Sequence, residues 1–463
     1  MNDTLKKNIK NSFYDGIFGN IFATLTGGLF LTSLALYLKM SDLLIGILAA
    51  MPYLVNISQL YTSQVIEKRV SRKRIYFWAS AGNRALWIPL ALIFLLPFGY
   101  ERAKIYIVLF FILSSYVFAS IGSVSWLSWM SDLVPDGIRG RFFGTRNTLN
   151  GFIGMIILLI FGNIFDFFEK SEDHGLSFGF LLAFSTAVIL GLFSLFFIKR
   201  VKDVGAAVSP RRNQFWENLI SPLKQKNFRN YLIFIFCWRF SVLFASPFFT
   251  VYLLRELKFS YSFVAALAIT SAVSDLAGMQ LWGFISDRVR NKIVIKILGS
   301  VVVFLPVSWI MVDKESVVLP IALHIIGGVS WAGINLCLNN MLLGISPKEN
   351  KAFFISQYNV IGGLGAVLSP ITAGFLIVLM GNKYLWLIPL SLIPLHIVFV
   401  LSTLLRFLSM RLLNRVSEPE EVGVRKLIRV IMNYRSINVS GGFYSLMHPF
   451  VEVSTGKENK NKS

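Results

Sequence analysis

Residues 282–292 read WGFISDRVRNK, a short polar stretch, rich in basic residues, that closes one long apolar run and opens another. The runs on either side, 260–285 and 293–312, are each about 20 residues or more, enough for a helix to cross a hydrocarbon core of roughly 30 Å. Outward from there the same unit recurs. Apolar runs lie near 12–38, 42–66, 75–97, 104–130, 146–167 and 176–199, then near 229–254, 260–285, 293–312, 317–341, 351–378 and 383–407. The chain is 55% hydrophobic and only 15% charged, a balance that excludes a soluble domain of 463 residues. The first run is too long and too rich in Gly and Thr for a cleavable leader, and a second follows at once, so it reads as a span.

The net charge of +21 raises nucleic acid as a partner, and the placement of the charge removes it. With the N-terminus taken as cytoplasmic, 35 Lys and Arg fall in inside segments and 8 in outside loops, while Arg84 and Arg239 lie within spans. That asymmetry predicts cytoplasmic termini, and attraction to anionic membrane lipids follows from it. Cys237 and Cys337 both sit in spans and form neither a disulfide framework nor a metal-ligand spacing. The four histidines are scattered, so no metal and no cofactor is expected. STGKEN (454–459) lacks the upstream glycine and following hydroxyl of a phosphate-binding loop, which argues against ATP drive.

The chain repeats itself. An offset of 219 residues lays 40–70 over 259–289, bringing Ser41 onto Ser260, Asn56 onto Asp275 and Arg69-Val70 onto Arg288-Val289. An offset of 212 lays VPDGIRGRFFGTRNTL (134–149) over SPKENKAFFISQYNVI (346–361). The predicted organisation is an N-terminal six-helix bundle (1–199), a cytoplasmic linker (200–228), a C-terminal six-helix bundle (229–407) and a tail (408–463). Parallel repeats with a site between them near the midplane are the layout that alternating access requires. VRKLIRVIMNYR (424–435) in the tail reads as an amphipathic interfacial helix.

In WGFISDRVRNK, Gly283, Asp287 and Arg288 resemble the loop 8–9 signature of the major facilitator superfamily, with Arg290 and Asn291 where Gly and Arg are usual. SQVIEKRVSRKR (63–74) is a worn N-terminal copy, in which Glu67 precedes Lys68 at the position of the expected Asp. SDLVPDGIRGRFFG (131–144) resembles the superfamily's loop 4–5 element. The resemblance covers residues 10–407 and implies an all-α integral membrane protein of twelve transmembrane helices in two pseudo-symmetric bundles. It implies secondary active transport of a small solute, coupled to a proton or solute gradient, by a monomer in a bacterial inner membrane. Glu67, Arg69, Asp132, Arg139, Arg141, Gly283, Asp287 and Arg288 are then the cytoplasmic gating elements. Asp132, Arg139 and Arg141 are expected to contact Glu67 or the loop 2–3 basic cluster and to favour the outward-open state. Span 5 lacks the Gly-Pro pair of the superfamily's drug/proton antiporters.

Ionisable residues inside spans are expensive, so each is a functional candidate. Arg84, Arg239 and Asp275 lie roughly 13–17 Å from the cytoplasmic edge at 1.5 Å per residue. Facing a cavity, an arginine among them would hold an anionic group of the solute while Asp275 exchanges a proton. Alternatively Arg239 and Asp275 form a fixed ion pair between adjacent spans. Asp15 near the start of span 1 reads equally as a solvated helix-start residue or a gate. Asn20, Asn56 and Asn335 are cavity-lining candidates. The rival readings are a receptor or scaffold that kept this architecture without transport, and a membrane enzyme, for which no catalytic constellation is present. If loop 4–5 is a gating joint, Arg139→Ala changes the transport rate with little change in solute selectivity; competition assays that show altered selectivity would overturn that role.

Overall fold

The computed structural model describes residues 3–59, 71–95, 101–171, 175–203, 222–286, 289–347, 351–381, 385–387 and 390–418. The first group of helices is α1 (Asp3–Leu25), α2 (Gly28–Tyr37), α3 (Asp42–Leu54), α4 (Arg72–Ala85), α5 (Trp87–Leu92), α6 (Glu101–Leu133), α7 (Asp136–Glu169) and α8 (Gly175–Arg200). The second is α9 (Lys226–Leu243), α10 (Ser246–Val251), α11 (Tyr261–Ser286), α12 (Asn291–Ser308), α13 (Val318–Ile345), α14 (Lys351–Met380) and α15 (Pro394–Leu412). Among the described residues, 11 helical segments are long and apolar enough to cross a membrane, and α3 is a shorter apolar helix in the place of the second span. The last span starts later than its hydropathy predicts. Pro389 and Pro394 cannot both lie inside one helix, so Leu385–Leu387 and Leu390–Leu392 pair as a small antiparallel hairpin and Pro394 opens α15.

Within the first group α1 packs on α7 and α8, and α4 on α6; within the second, α9 packs on α14 and α15, and α13 on α11 and α12. The groups meet along α3 against α14 and α7 against α11. The repeat seen in sequence has a structural counterpart. Ser41 Oγ accepts the Leu44 N–H at the start of α3, and Ser260 Oγ accepts the Phe263 N–H at the start of α11. Both are N-caps at matched positions. The same offset of 219 carries Thr26, where the first span breaks between α1 and α2, onto Ala245, where α9 gives way to α10.

A broken helix leaves carbonyl groups without partners, and inside a bilayer water cannot satisfy them. At the first break Gly28 takes a positive φ of 49°, and the Phe22 carbonyl accepts both the Thr26 N–H at 3.0 Å and Thr26 Oγ1 at 2.7 Å. At the second, α14 and α15 supply donors. Ser369 Oγ reaches the Phe240 carbonyl, Ser402 Oγ that of Ser241 at 2.7 Å, and Arg406 Nη2 that of Val242 at 3.3 Å. Arg406 Nη1 also donates to the Val302 carbonyl on α12 at 2.9 Å, and the residue is 3% exposed. Its place at the end of span 12 suggests a solvated flank charge; the structure uses it as a buried clamp on three helices.

The contacts that seal one end of the bundle lie opposite the chain termini. Asp166, near the end of α7, accepts the backbone N–H groups of Tyr261 (2.6 Å) and Ser262 (3.0 Å) at the start of α11. Arg255 pairs with Asp42 at 2.8 Å and with Glu256 at 2.9 Å. Between α3 and α14 the backbones touch: a Cβ at Gly46 would overlap the Pro370 carbonyl, and one at Gly374 the Asp42 carbonyl. Asp166→Ala removes a charged cap that bridges the groups, at a cost to the sealed form of about 1–2 kcal/mol. Ala265 is fully buried beside this cap. In a background with Cys237 and Cys337 replaced by Ser, maleimide labelling of Ala265→Cys is expected to speed up about 5- to 30-fold when Asp166 is Ala; unchanged labelling would show that the cap does not hold the seal.

Candidate functional site

A cavity of about 400 Å³ opens among α1, α4, α6 and α7. Its charged lining residues, among those described, are Asp15, Arg84 and Arg146. Arg84 stands in the last turn of α4, where the chain breaks before α5 and the helix's carbonyl end favours a cation. It is 5% exposed, its Nε and Nη1 have no hydrogen-bond partner, and its guanidinium lies 5.9 Å from the Phe22 ring centre. Asp15 lies within its electrostatic reach, but buried donors without acceptors are costly, which makes Arg84 a candidate for binding a ligand.

The other two charges are already engaged. Asp15 is 3% exposed; its Oδ2 accepts the Tyr76 hydroxyl at 3.0 Å and lies 3.8 Å from Arg146 Nη2. Arg146 donates from Nε to the Ser12 carbonyl at 3.4 Å, and its guanidinium stacks 4.1 Å from the Trp126 ring centre. The neutral polar groups are also taken up internally. Asn20 Nδ2 donates to the Asn150 carbonyl at 2.7 Å, Asn83 Nδ2 to Ser115 O and Oγ at 2.9 Å, and Trp87 Nε1 to Ser115 Oγ at 2.8 Å. Phe22, Trp87, Tyr116, Phe118 and Trp126 supply aromatic walls.

Of the residues singled out in sequence, the cavity gathers Arg84 and Asn20. Arg239 and Asp275 do not pair. α9 packs on α14 and α15 while α11 packs on α13, so the two residues sit on different helix pairs. Arg239 instead crosses Gly362 of α14, with its guanidinium 5.0 Å from the Tyr358 ring centre, and Tyr53 of α3 lies within its electrostatic reach. Asp275 is half-buried on α11. Asn56 is exposed and bonded to Gln59 at 3.0 Å, and Asn335 is exposed on α13. Asp15, which the sequence leaves between a helix-start residue and a gate, lines the cavity too. Arg146 is the residue that sequence reading misses, because it counts as an ordinary inside charge until folding brings it back against α1.

At the opposite joint, Asp132 pairs with Arg72, the first residue of α4 in the loop 2–3 basic cluster. Arg139 binds Asp136 at 2.6 Å and the Ser131 and Val134 carbonyls at 2.5 and 3.4 Å, stapling the turn between α6 and α7, and Arg141 is exposed. The Arg72–Asp132 pair joins α4 and α6 of one group, as the expected contact of Asp132 with the loop 2–3 basic cluster requires. Gly283 has open space where a Cβ would stand. Glu67, Arg69, Asp287 and Arg288, like the amphipathic segment 424–435, lie outside the described residues. Arg290 and Asn291, which depart from the signature, hold Glu418: Asn291 Nδ2 reaches its Oε1 at 2.9 Å, the Lys292 N–H its Oε2 at 3.0 Å, and Arg290 Nη1 its carbonyl at 3.1 Å.

No curated protein sequence matches the chain. Among solved structures, it is similar to the nucleoside transporter NupG (14% identity, TM-score 0.66, 89% of this chain and 99% of that one). It is also similar to a D-xylose-proton symporter (14% identity, TM-score 0.64, covering 90% and 99%). A third likeness is to a bacterial homolog of the human lysosomal transporter Spinster, inward-facing and unoccupied (12% identity, TM-score 0.62, covering 91% and 100%). At these identities the likeness is one of fold. The family model of the Major Facilitator Superfamily matches residues 16–370, and the chain belongs to that superfamily of membrane transporters.

Proposed function

We propose that the chain is a secondary active transporter that carries a small anionic solute by alternating access, with the solute's anionic group held by Arg84. Arg84 carries the proposal: a cation that is 5% exposed, with two nitrogens lacking partners, in the wall of a cavity large enough for a small molecule. The bundles 1–199 and 229–407 are the moving bodies, rocking on α3–α14 and α7–α11. With the termini in the cytoplasm of a bacterial cell, the seal made by Asp166 and by Asp42 with Arg255 faces outward and the cavity is offered to the inside. A proton or solute gradient supplies the drive. Arg239 of the C-terminal bundle, free of hydrogen bonds and ion pairs among the described residues, is the second cation available to a solute crossing between the halves.

A buried, unpaired charge kept for a ligand has a signature that a structural charge lacks. Replacing it removes function and relieves the apo protein of a desolvation penalty. Arg84→Met is therefore expected to abolish anion-driven uptake into proteoliposomes and to leave the apo melting temperature unchanged or higher in a thermal-shift assay. The lost solute affinity should correspond to about 2–5 kcal/mol. A variant that melts lower and still transports would mark Arg84 as a packing residue and remove the reading.

A further inference from the structure

The same cavity constrains the charge and shape of what it carries, an inference that rests on the transport reading above. We infer that the solute is a small organic monoanion with a flat or branched apolar body, and that Asp15 is the fixed counter-charge that sets this valence.

Charge balance is the first argument. Two arginines and one aspartate line the cavity among the described residues, leaving one positive charge without an internal partner. Position assigns that charge. Asp15 is shared electrostatically by both arginines, but Arg146 is also bonded to the Ser12 carbonyl and stacked on the Trp126 face, whereas Arg84 has two nitrogens without a hydrogen bond. A ligand with one negative charge neutralises the site. A dianion leaves a net negative charge within the bundle, and a neutral solute leaves the Arg84 donors unsatisfied; both are penalised. In the C-terminal bundle Arg239 and Asp275 carry opposite single charges, so counting them leaves the balance unchanged.

Wall chemistry is the second argument. Solutes rich in hydroxyls are recognised by many free donors and acceptors. Here the amide N–H groups of Asn20 and Asn83, the indole N–H of Trp87 and the hydroxyl of Tyr76 are already committed inside the protein. What faces the ligand is largely aromatic: Phe22, Tyr116, Phe118 and the rings of Trp87 and Trp126. In the same lining, Asn150 Oδ1 lacks a partner and can accept a hydrogen bond from the solute. The match is a carboxylate on Arg84, an apolar or aromatic body against the rings and few further polar groups. Sugars and nucleosides, the solutes named for two structural neighbours, fit poorly.

Purified full-length protein, wild type and Asp15→Asn, is screened by thermal shift and by counterflow in proteoliposomes. The probes are benzoate and phenylacetate (monoanions), phthalate (dianion), phenylalanine (zwitterion), benzyl alcohol (neutral) and xylose. Wild type is expected to prefer the monoanions, by tenfold or more in apparent affinity over phthalate. Asp15→Asn adds one positive charge and is expected to shift the ratio toward phthalate by at least tenfold. Preference of the wild type for the dianion, the zwitterion or a neutral probe overturns the inference, as does an unchanged ratio in a folded Asp15→Asn variant. If that variant does not fold, the wild-type ranking alone decides. Binding of no anion of any valence would instead remove the anionic-solute reading on which the inference rests.

Discussion

Everything in this bundle answers to one constraint: backbone polar groups inside a membrane must find partners within the protein. Straight helices satisfy it automatically; broken helices do not, and a transporter needs breaks where its halves must flex. The break between α9 and α10 shows how the constraint propagates. Three consecutive carbonyls, Phe240, Ser241 and Val242, receive donors from Ser369, Ser402 and Arg406, so α14 and α15 are fastened to α9 at the bend. Ser369 precedes Pro370, and Pro370 abuts Gly46 across the interface with α3. The fastening of the α9–α10 bend and the closest contact between the bundles thus share one stretch of α14.

The first bundle meets the constraint differently, and the difference is what makes a site. Its break at Thr26–Gly28 turns on a glycine in the left-handed region, while the Thr26 N–H and hydroxyl both bond the Phe22 carbonyl within the same turn. No arginine is needed there. The arginine that the bundle does bury, Arg84, stands in the last turn of α4 and keeps two donors unused. Arg406 and Arg84 are both almost fully buried, at 3% and 5% exposure. One has its charge absorbed by two carbonyls, while the other points into empty volume. Burial alone does not separate them; their hydrogen bonds do.

The sequence made the span count, the repeat and the superfamily legible because those follow from hydropathy and from short-range punctuation. Ser41 and Ser260, matched by offset alone, are both caps. Arg84 was legible for the same reason: a cation deep in an apolar run is visible without a fold. Which charges meet was not legible. Depth along separate helices suggested an Arg239–Asp275 pair, but depth says nothing about which way each helix faces, and the structure sends Arg239 across Gly362 toward Tyr358. Asp15 and Arg146 are 131 residues apart and each has a bland local explanation. Only the packing of α1 on α7 makes them one unit. The anomalous Arg290-Asn291 likewise gains meaning from a distant residue, Glu418, which sits on the N-terminus of α12 where a carboxylate is electrostatically favoured.

The two ends of the molecule are built on different principles, and that asymmetry bears on how it cycles. The sealed end joins the bundles with a carboxylate on backbone N–H groups, one Arg–Asp pair and backbone-to-backbone contact at glycines. Those are contacts a small rotation breaks together, since each needs close approach and none has slack. At the terminal end, the contacts described for Asp132, Arg139 and Glu418 stay within a single bundle. They brace each bundle as a body and do not tie one to the other. If the solute is an anion held by Arg84, as proposed, its arrival removes the main electrostatic reason for that pocket to stay hydrated, and a pocket free to dehydrate can close. On that reading, coupling between binding and rocking requires only that the charge left over among Asp15, Arg84 and Arg146 be cancelled, with the carboxylate of Asp15 determining how much negative charge that takes.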